Sequence, residues 1–182
     1  MEEQQSPFQA AVKPGITMGL VSLAVTFIAY FIDSTLLVSG WFGLVTLVIF
    51  VGLIIYFGRE YRNELGGYMT FGTAFNFSFI AILISGIIGL IGQIVLFQVV
   101  DPELPGVLVD LMYSNQLSFM EKLGQNPDNM DPEVLQQMKE SSEGQYTLMG
   151  QLKGFGIVII IYAIIALILG AILKKKDKSL EF

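Results

Sequence analysis

Phe57-Gly58-Arg59-Glu60-Tyr61-Arg62-Asn63-Glu64-Leu65-Gly66-Gly67-Tyr68-Met69-Thr70-Phe71-Gly72-Thr73-Ala74-Phe75 is the stretch whose reading decides the fold. It sets two arginines, two glutamates and paired glycines between two uncharged apolar runs, Leu36 to Phe57 and Phe71 to Val100. A helix needs about 20 apolar residues to cross a hydrocarbon core of about 30 Å, and both runs reach that length. The polar stretch therefore marks the place where one membrane helix stops and the next begins.

The composition around it agrees. Of 182 residues, 53% are hydrophobic and 14% charged, where a soluble domain carries about 25% charged residues. The deficit is concentrated in the uncharged runs, which is the pattern of a bilayer protein. The chain reads as one membrane domain, residues 1–182, with no room for a separate soluble enzyme. It contains no cysteine and no histidine. That removes disulfides, thiolate nucleophiles, the usual zinc sites, haem ligation and imidazole acid–base catalysis. No metal or cofactor is expected. The net charge of −6 gives no support to nucleic-acid binding, which needs Lys and Arg clustered on an accessible face.

Working outward, Lys13-Pro14 opens a first span over 14–32, with proline in the first turn, where its missing N–H costs nothing. The polar residues before it read as a short tail without a signal peptide's basic start. Asp33-Ser34 ends that span. A second runs over 36–57, with Trp41 and Tyr56 placed for the two interfacial belts. The third, 71–100, is longer than the hydrocarbon core requires, so its approach from Gly66 to Thr73 is expected in the interface. Within it Gly86, Gly89 and Gly92 form a slowly drifting stripe, and Gly15-x-x-x-Gly19 has the spacing of close helix packing. On this reading Gly89→Leu damages the fold more than Ala81→Leu. The fourth span, 153–173, ends at Lys174-Lys175-Lys176.

The segment 101–151 differs in kind, with nine acidic residues against Lys122 and Lys139. Asp101-Pro102-Glu103 and Asp131-Pro132-Glu133 each place Asp at a cap, Pro in a first turn and Glu inside it. Leu104, Leu108, Leu111 and Met112 share one helical face; Val134, Leu135, Met138 and Tyr146 do so less regularly. Gly124 to Asn129 is a turn-rich break. The expected structure is an amphipathic helical hairpin outside the membrane, between the third and fourth spans, which packs over the ends of the spans and presents its acids outward. Asp128, Asp131 and Glu133 resemble part of a calcium ligand set, but the glycine and terminal glutamate that such a loop needs are missing.

Charge sets the orientation. Lys13, Arg59, Arg62, Lys174, Lys175, Lys176 and Lys178 fall on one side of a four-span chain, and Lys122, Lys139 and Lys153 on the other. By the positive-inside rule the termini and the Arg59–Arg62 turn are cytoplasmic and the acidic segment is outside. Arg59, Arg62 and the lysines 174 to 176 are then headgroup and topology residues.

Arg59-Glu60-Tyr61-Arg62, followed by Gly67-Tyr68-Met69-Thr70-Phe71-Gly72-Thr73-Ala74-Phe75, is a basic-aromatic-basic turn, a glycine, and a Thr-Phe-Gly-x-Ala-Phe entry to a long glycine-bearing helix. Together with four spans and one large loop before the last, this resembles the domain-of-unknown-function family 4199. The resemblance implies a small four-helix membrane protein of the bacterial cell envelope, in the inner membrane. It implies no activity, cofactor or catalytic residue.

The chain has no ionisable residue deep in a span, and such a residue is the usual mark of ion coupling. Asn76, Gln93 and Gln98 read as interhelical glue; Asp33 reads as a cap. The expectation is a non-enzymatic structural or accessory protein, in contact with lipid, whose Glu133, Glu140 and Glu143 dock an envelope partner. Homo-oligomerisation through the glycines is the other association open to it. The competing reading is a small oligomeric transporter or channel.

Overall fold

A computed structural model describes residues 5–126 and 130–176. Asp128 with its neighbours 127 and 129, Lys178 and the outermost tails lie outside the described residues. Among the described residues the chain forms six α-helices and no strand beyond an isolated bridge. Four of the helices are long and apolar enough to cross a membrane.

Helix α1 runs Pro7–Ile32 and starts two turns before the expected boundary at Pro14. The reason is a capping box. Ser6 Oγ accepts from the Gln9 amide at 3.3 Å while Gln9 Oε1 accepts from the Ser6 amide at 3.1 Å, which satisfies donors the helix start would otherwise orphan. Pro14 sits inside the helix, buried beside Gly15. After Ile32, Asp33 caps a short 3₁₀ turn, Ser34–Val38, by accepting from Thr35 N at 2.9 Å.

Helix α2 is Gly40–Glu64, so Arg59 to Glu64 continue the second span as helix and are not loop. Gly66 and Gly67, at φ of +85° and +89°, make the turn that follows; residues with a Cβ are strained there. Thr70 then caps α3, Phe71–Val95, which runs on without a break into a π turn, Leu96–Val100. Beyond it come α4, Leu104–Lys122, and α5, Pro132–Tyr146. Asp131 caps α5 as read, whereas α4 starts at Leu104, with Asp101 Oδ1 accepting from the Glu103 and Leu104 amides. Helix α6, Leu148–Leu173, begins five residues before the expected start at 153, because Thr147 caps it by accepting from Gly150 N at 3.0 Å.

Helix α3 is the centre of the bundle and packs along α1 on one side and α6 on the other. Helix α2 leans on the rest much more lightly, burying only Ile54, Gly58 and Tyr61. Trp41, Leu44 and Val48 lie largely exposed on it, an arrangement at home only in an apolar solvent.

Small residues allow the central contacts. A methyl group at Gly15 would come within 2.8 Å of Ile84 Cβ and 2.9 Å of the Ala81 carbonyl oxygen; one at Gly19 would meet Ile88 Cβ at 2.8 Å. The 86–89–92 stripe does not act as a unit. Gly86 faces Tyr162 of α6, Gly92 faces Leu23 of α1, and Gly89 has only Ser22 Oγ near it, at 3.9 Å. Three residues turn a helix about 300°, so Gly86 and Gly92 point about 120° apart. This reverses the expected order at Gly89 and Ala81, since Ala81 is fully buried. Ala81→Leu and Gly19→Val are expected to cost about 1–3 kcal/mol through overpacking, a fall in melting temperature of roughly 3–10 °C in detergent. Gly89→Leu is expected to melt within about 2 °C of the parent chain; equal losses at Ala81 and Gly89 would refute the assignment.

Candidate functional site

Three regions carry chemistry: a basic end, an acidic end, and a cleft between the helices. At the basic end the motif-like turn holds three segments together. Tyr61 stacks on Phe77 with ring centres 5.1 Å apart and donates its hydroxyl to the Gln5 carbonyl at 2.9 Å. Arg62 Nη1 donates to the Leu173 carbonyl at 3.2 Å, a favourable place for a cation at a helix C-terminus. Met69 and Lys175 exchange backbone hydrogen bonds of 3.0 and 2.9 Å, and Lys175 Nζ sits 5.6 Å from the centre of the Tyr68 ring, within cation–π range. Gly58 lets Leu173 lie against the α2 backbone. The Thr-Phe-Gly-x-Ala-Phe entry has its own use: Thr70 caps α3, while Phe71 and the backbone of Phe75 approach Gly170, where a methyl would come within 3.1 Å of the Phe71 ring. Arg59, Lys174, Lys175 and Lys176 are exposed, and Arg62 is half-buried on its carbonyl partner.

At the opposite end Asp101 joins two elements. Its Oδ1 caps α4 and its Oδ2 accepts from the Tyr30 hydroxyl at 3.0 Å, so the last turn of α1 is tied to the start of α4. Leu96, Phe97, Leu104 and Leu108 form a second small core there, with Phe27, Tyr30, Leu37, Val38 and Tyr146 around it. Helices α4 and α5 are joined by Lys139 Nζ on Asp110 Oδ1 at 3.1 Å and by the Tyr146 hydroxyl on Met112 Sδ at 3.1 Å. The hydrogen bond that Lys139 donates to Asp110, with the charge of that carboxylate, holds the Lys139 ammonium above the usual lysine range. Hydrogen bonds from Thr35 hold Asp33 below the usual carboxylate range. Glu133, Glu140 and Glu143 are exposed, and Gln136 Nε2 donates to Glu140 at 2.8 Å.

Between these ends lies a cleft of about 680 Å³, walled by α1, α2, α3 and α6 and roofed by Leu108, Met112 and Tyr146. Its walls are apolar with scattered hydroxyls and amides, and none of the described residues that line it is charged. Two buried polar atoms in the wall have no partner among the described residues, Ser85 Oγ and Gln151 Oε1. The Gln151 amide nitrogen is already used, donating to the Tyr146 carbonyl at 3.0 Å; Gln98 Nε2 reaches the same carbonyl at 3.3 Å. Gln93, in the same wall, is exposed to the cleft, while Asn76 is exposed near the start of α3. Sequence reasoning missed Gln151, since the fourth span was read as starting after it. The Thr147-x-x-Gly150 cap was the signal available.

The model of a family described as Protein of unknown function (DUF4199) matches residues 13–175. No curated protein and no solved structure matches the chain.

The junction of α5 and α6 holds the roof in place, and it depends on Gly150. A methyl there would strike the Gly144 carbonyl, whereas one at Gly154 meets nothing within 4 Å. Gly150→Ala is therefore expected to lower stability by about 1–3 kcal/mol, because backbone must move, and Gly154→Ala to be neutral. Thermal unfolding of both variants in detergent checks this; equal melting points would refute the tight junction.

Proposed function

We infer a role for the protein from a plain premise: the chain belongs to the DUF4199 family of proteins of unknown function. On our reading it is a non-enzymatic, multi-pass protein of the bacterial inner membrane with cytoplasmic termini. It serves a structural or accessory role through the acidic segment it carries outside.

The observation that carries this reading is the separation of charge along the bundle. Arg59, Arg62 and Lys174 to Lys176 gather where α2 and α6 end. Asp110, Glu133, Glu140 and Glu143 lie on α4 and α5, which meet the spans at the other end. Basic residues are retained on the cytoplasmic side of a membrane, and anionic headgroups repel an acidic face. The apolar side of α4, Leu104 and Leu108, is spent against the spans. The carboxylates of Asp110, Glu133, Glu140 and Glu143 are exposed, as are Val107, Phe119, Lys122 and Val134, and Lys139 is bound to Asp110. A basic surface on an envelope protein is the partner such a face fits, through steering more than raw affinity.

Reporter fusions test the orientation. One placed after Phe182 is expected to be active in the cytoplasm and one inserted at Asn126 to be active outside; matching locations would sink the four-span arrangement. Docking is tested by changing Glu133, Glu140 and Glu143 together to Gln and crosslinking in whole cells. The expected result is loss of salt-sensitive crosslinks to a basic envelope protein with an unchanged melting temperature. An unchanged crosslink pattern would remove the acidic face from the function.

A further inference from the structure

We propose that the far half of α4 is a membrane-surface anchor: Phe119 and Leu123 dip into the lipid leaflet at that end of the bundle, beyond the edge of the spans. The inference depends neither on which side of the membrane that end faces nor on what the carboxylates of α5 meet.

The near half of α4 gives the direction. Leu104 and Leu108 are buried against the span ends, at 3% and 1% exposure, in the small core that includes Leu37 and Val38. Leu108 and Met112 line the cleft between the spans. This face of α4 therefore looks into the membrane-spanning part of the molecule. Each residue turns a helix by about 100°. Phe119 and Leu123 stand seven and eleven residues after Met112, so both return to within about 20° of its direction. The helical turn holds that far, because the Leu123 amide donates to the Phe119 carbonyl at 3.2 Å. The face on the spans is thus continued about 10 and 16 Å farther along the axis, at 1.5 Å per residue. Asn115 and Gln116, in between, are uncharged.

Out there the spans cover nothing. Phe119 is 62% exposed and Leu123 64%, and residues four apart on a helix are neighbours. The level of the bilayer is marked nearby. Helix α4 crosses the 3₁₀ turn Ser34–Val38, and Ile32 and Trp41 on either side of that turn are largely exposed. A tryptophan at the end of a span sits at headgroup level. A helix lying across that turn with its apolar face toward the spans meets the same interface once it passes their edge.

Charge is sorted in the same sense. Asp110 and Glu121, the acids inside α4, turn about 160° and 180° from Met112, so neither shares the face of Phe119 and Leu123. Lys122 is exposed and lies about 60° to the side of Phe119. From that flank its long stem lets the ammonium reach lipid phosphates while the apolar pair goes deeper. An apolar pair with carboxylates opposite and a lysine at its rim is suited to the leaflet interface.

The chain has no cysteine, so one introduced cysteine carries a lone spin label. Phe119→Cys and Leu123→Cys are compared with Ser114→Cys and Glu121→Cys on the far face. Each full-length variant is placed at one copy per nanodisc of phosphatidylcholine and phosphatidylglycerol. Collisions with lipid-soluble oxygen are measured against collisions with a water-soluble nickel chelate. The oxygen-to-nickel ratio at 119 and 123 is expected to be at least about threefold that at 114 and 121, as burial about 5–10 Å into the headgroup boundary requires. A second measurement needs no label: tryptic cleavage after Lys122 in the same discs, followed by mass spectrometry. Phe119→Gln with Leu123→Gln is expected to leave the melting temperature unchanged, since neither side chain belongs to a core cluster. It is expected to speed that cleavage at least about tenfold, a factor that two lost apolar contacts exceed. Equal ratios at all four positions would overturn the proposal, and so would unchanged cleavage in the double variant. Shielding that appears only at two copies per disc, with disulfides between copies at 119, would make a second chain the occupant and overturn it too.

Discussion

Everything in this bundle depends on how closely α3 approaches α1. In a bilayer no water is released when two helices meet, so association has to come from van der Waals contact at short range, which small residues permit. Gly15 and Gly19 let Ile84 and Ile88 lie on the α1 backbone, and Gly92 returns the favour to Leu23. On the opposite side Gly86 receives the ring of Tyr162, and Gly170 lies under the ring of Phe71. Helix α3 is thereby gripped along its length by α1 and α6. The three helices make a slab, and α2 has only its cytoplasm-ward half, as we orient it, in firm contact through Ile54, Gly58 and Tyr61.

Hydrogen bonds then fix the two ends, where polar groups can be met. Tyr61 on Gln5, Arg62 on Leu173 and the Met69–Lys175 bridge close one end; Tyr30 on Asp101 closes the other. Each of these spans a long stretch of sequence. Each also satisfies a backbone or carboxylate acceptor that would be costly to leave unpaired near an apolar medium. Among the described residues the middle of the bundle has no such ties, and that is where the cleft lies.

How much of this the sequence shows varies with the physics involved. Span number follows from composition alone, because twenty uncharged residues have few other solutions. The caps at Asp33 and Asp131 could be read because their effect is local. Boundaries were lost where two signals competed: Lys13-Pro14 has the look of a helix start, but Ser6-Pro7-x-Gln9 supplies a complete capping box upstream and proline is tolerated within. Thr147-x-x-Gly150 did the same to α6. The glycine stripe was read as drifting slowly; its drift of about 60° per step packs Gly86 and Gly92 against different helices and leaves Gly89 without a close neighbour. The cleft was not legible at all. It is set by the lean of α2, and no residue pattern within α2 encodes the gap beside it.

The cleft and the acidic segment share one atom, and this bears on how the protein works. The Tyr146 carbonyl ends α5 and accepts from both Gln98 of the π turn and Gln151 of α6. The ring of the same tyrosine packs edge-on against Phe97, 5.2 Å between centres, and its hydroxyl reaches Met112 on α4. Tyr146 is thus at once the roof of the cleft, the joint between α4 and α5, and the group that orients the Gln151 amide. Tyr146 gives its carbonyl, its ring and its hydroxyl to four neighbours, Gln98 and Gln151, Phe97, and Met112, and with the Tyr30–Asp101 hydrogen bond it ties α4 and α5 to the spans.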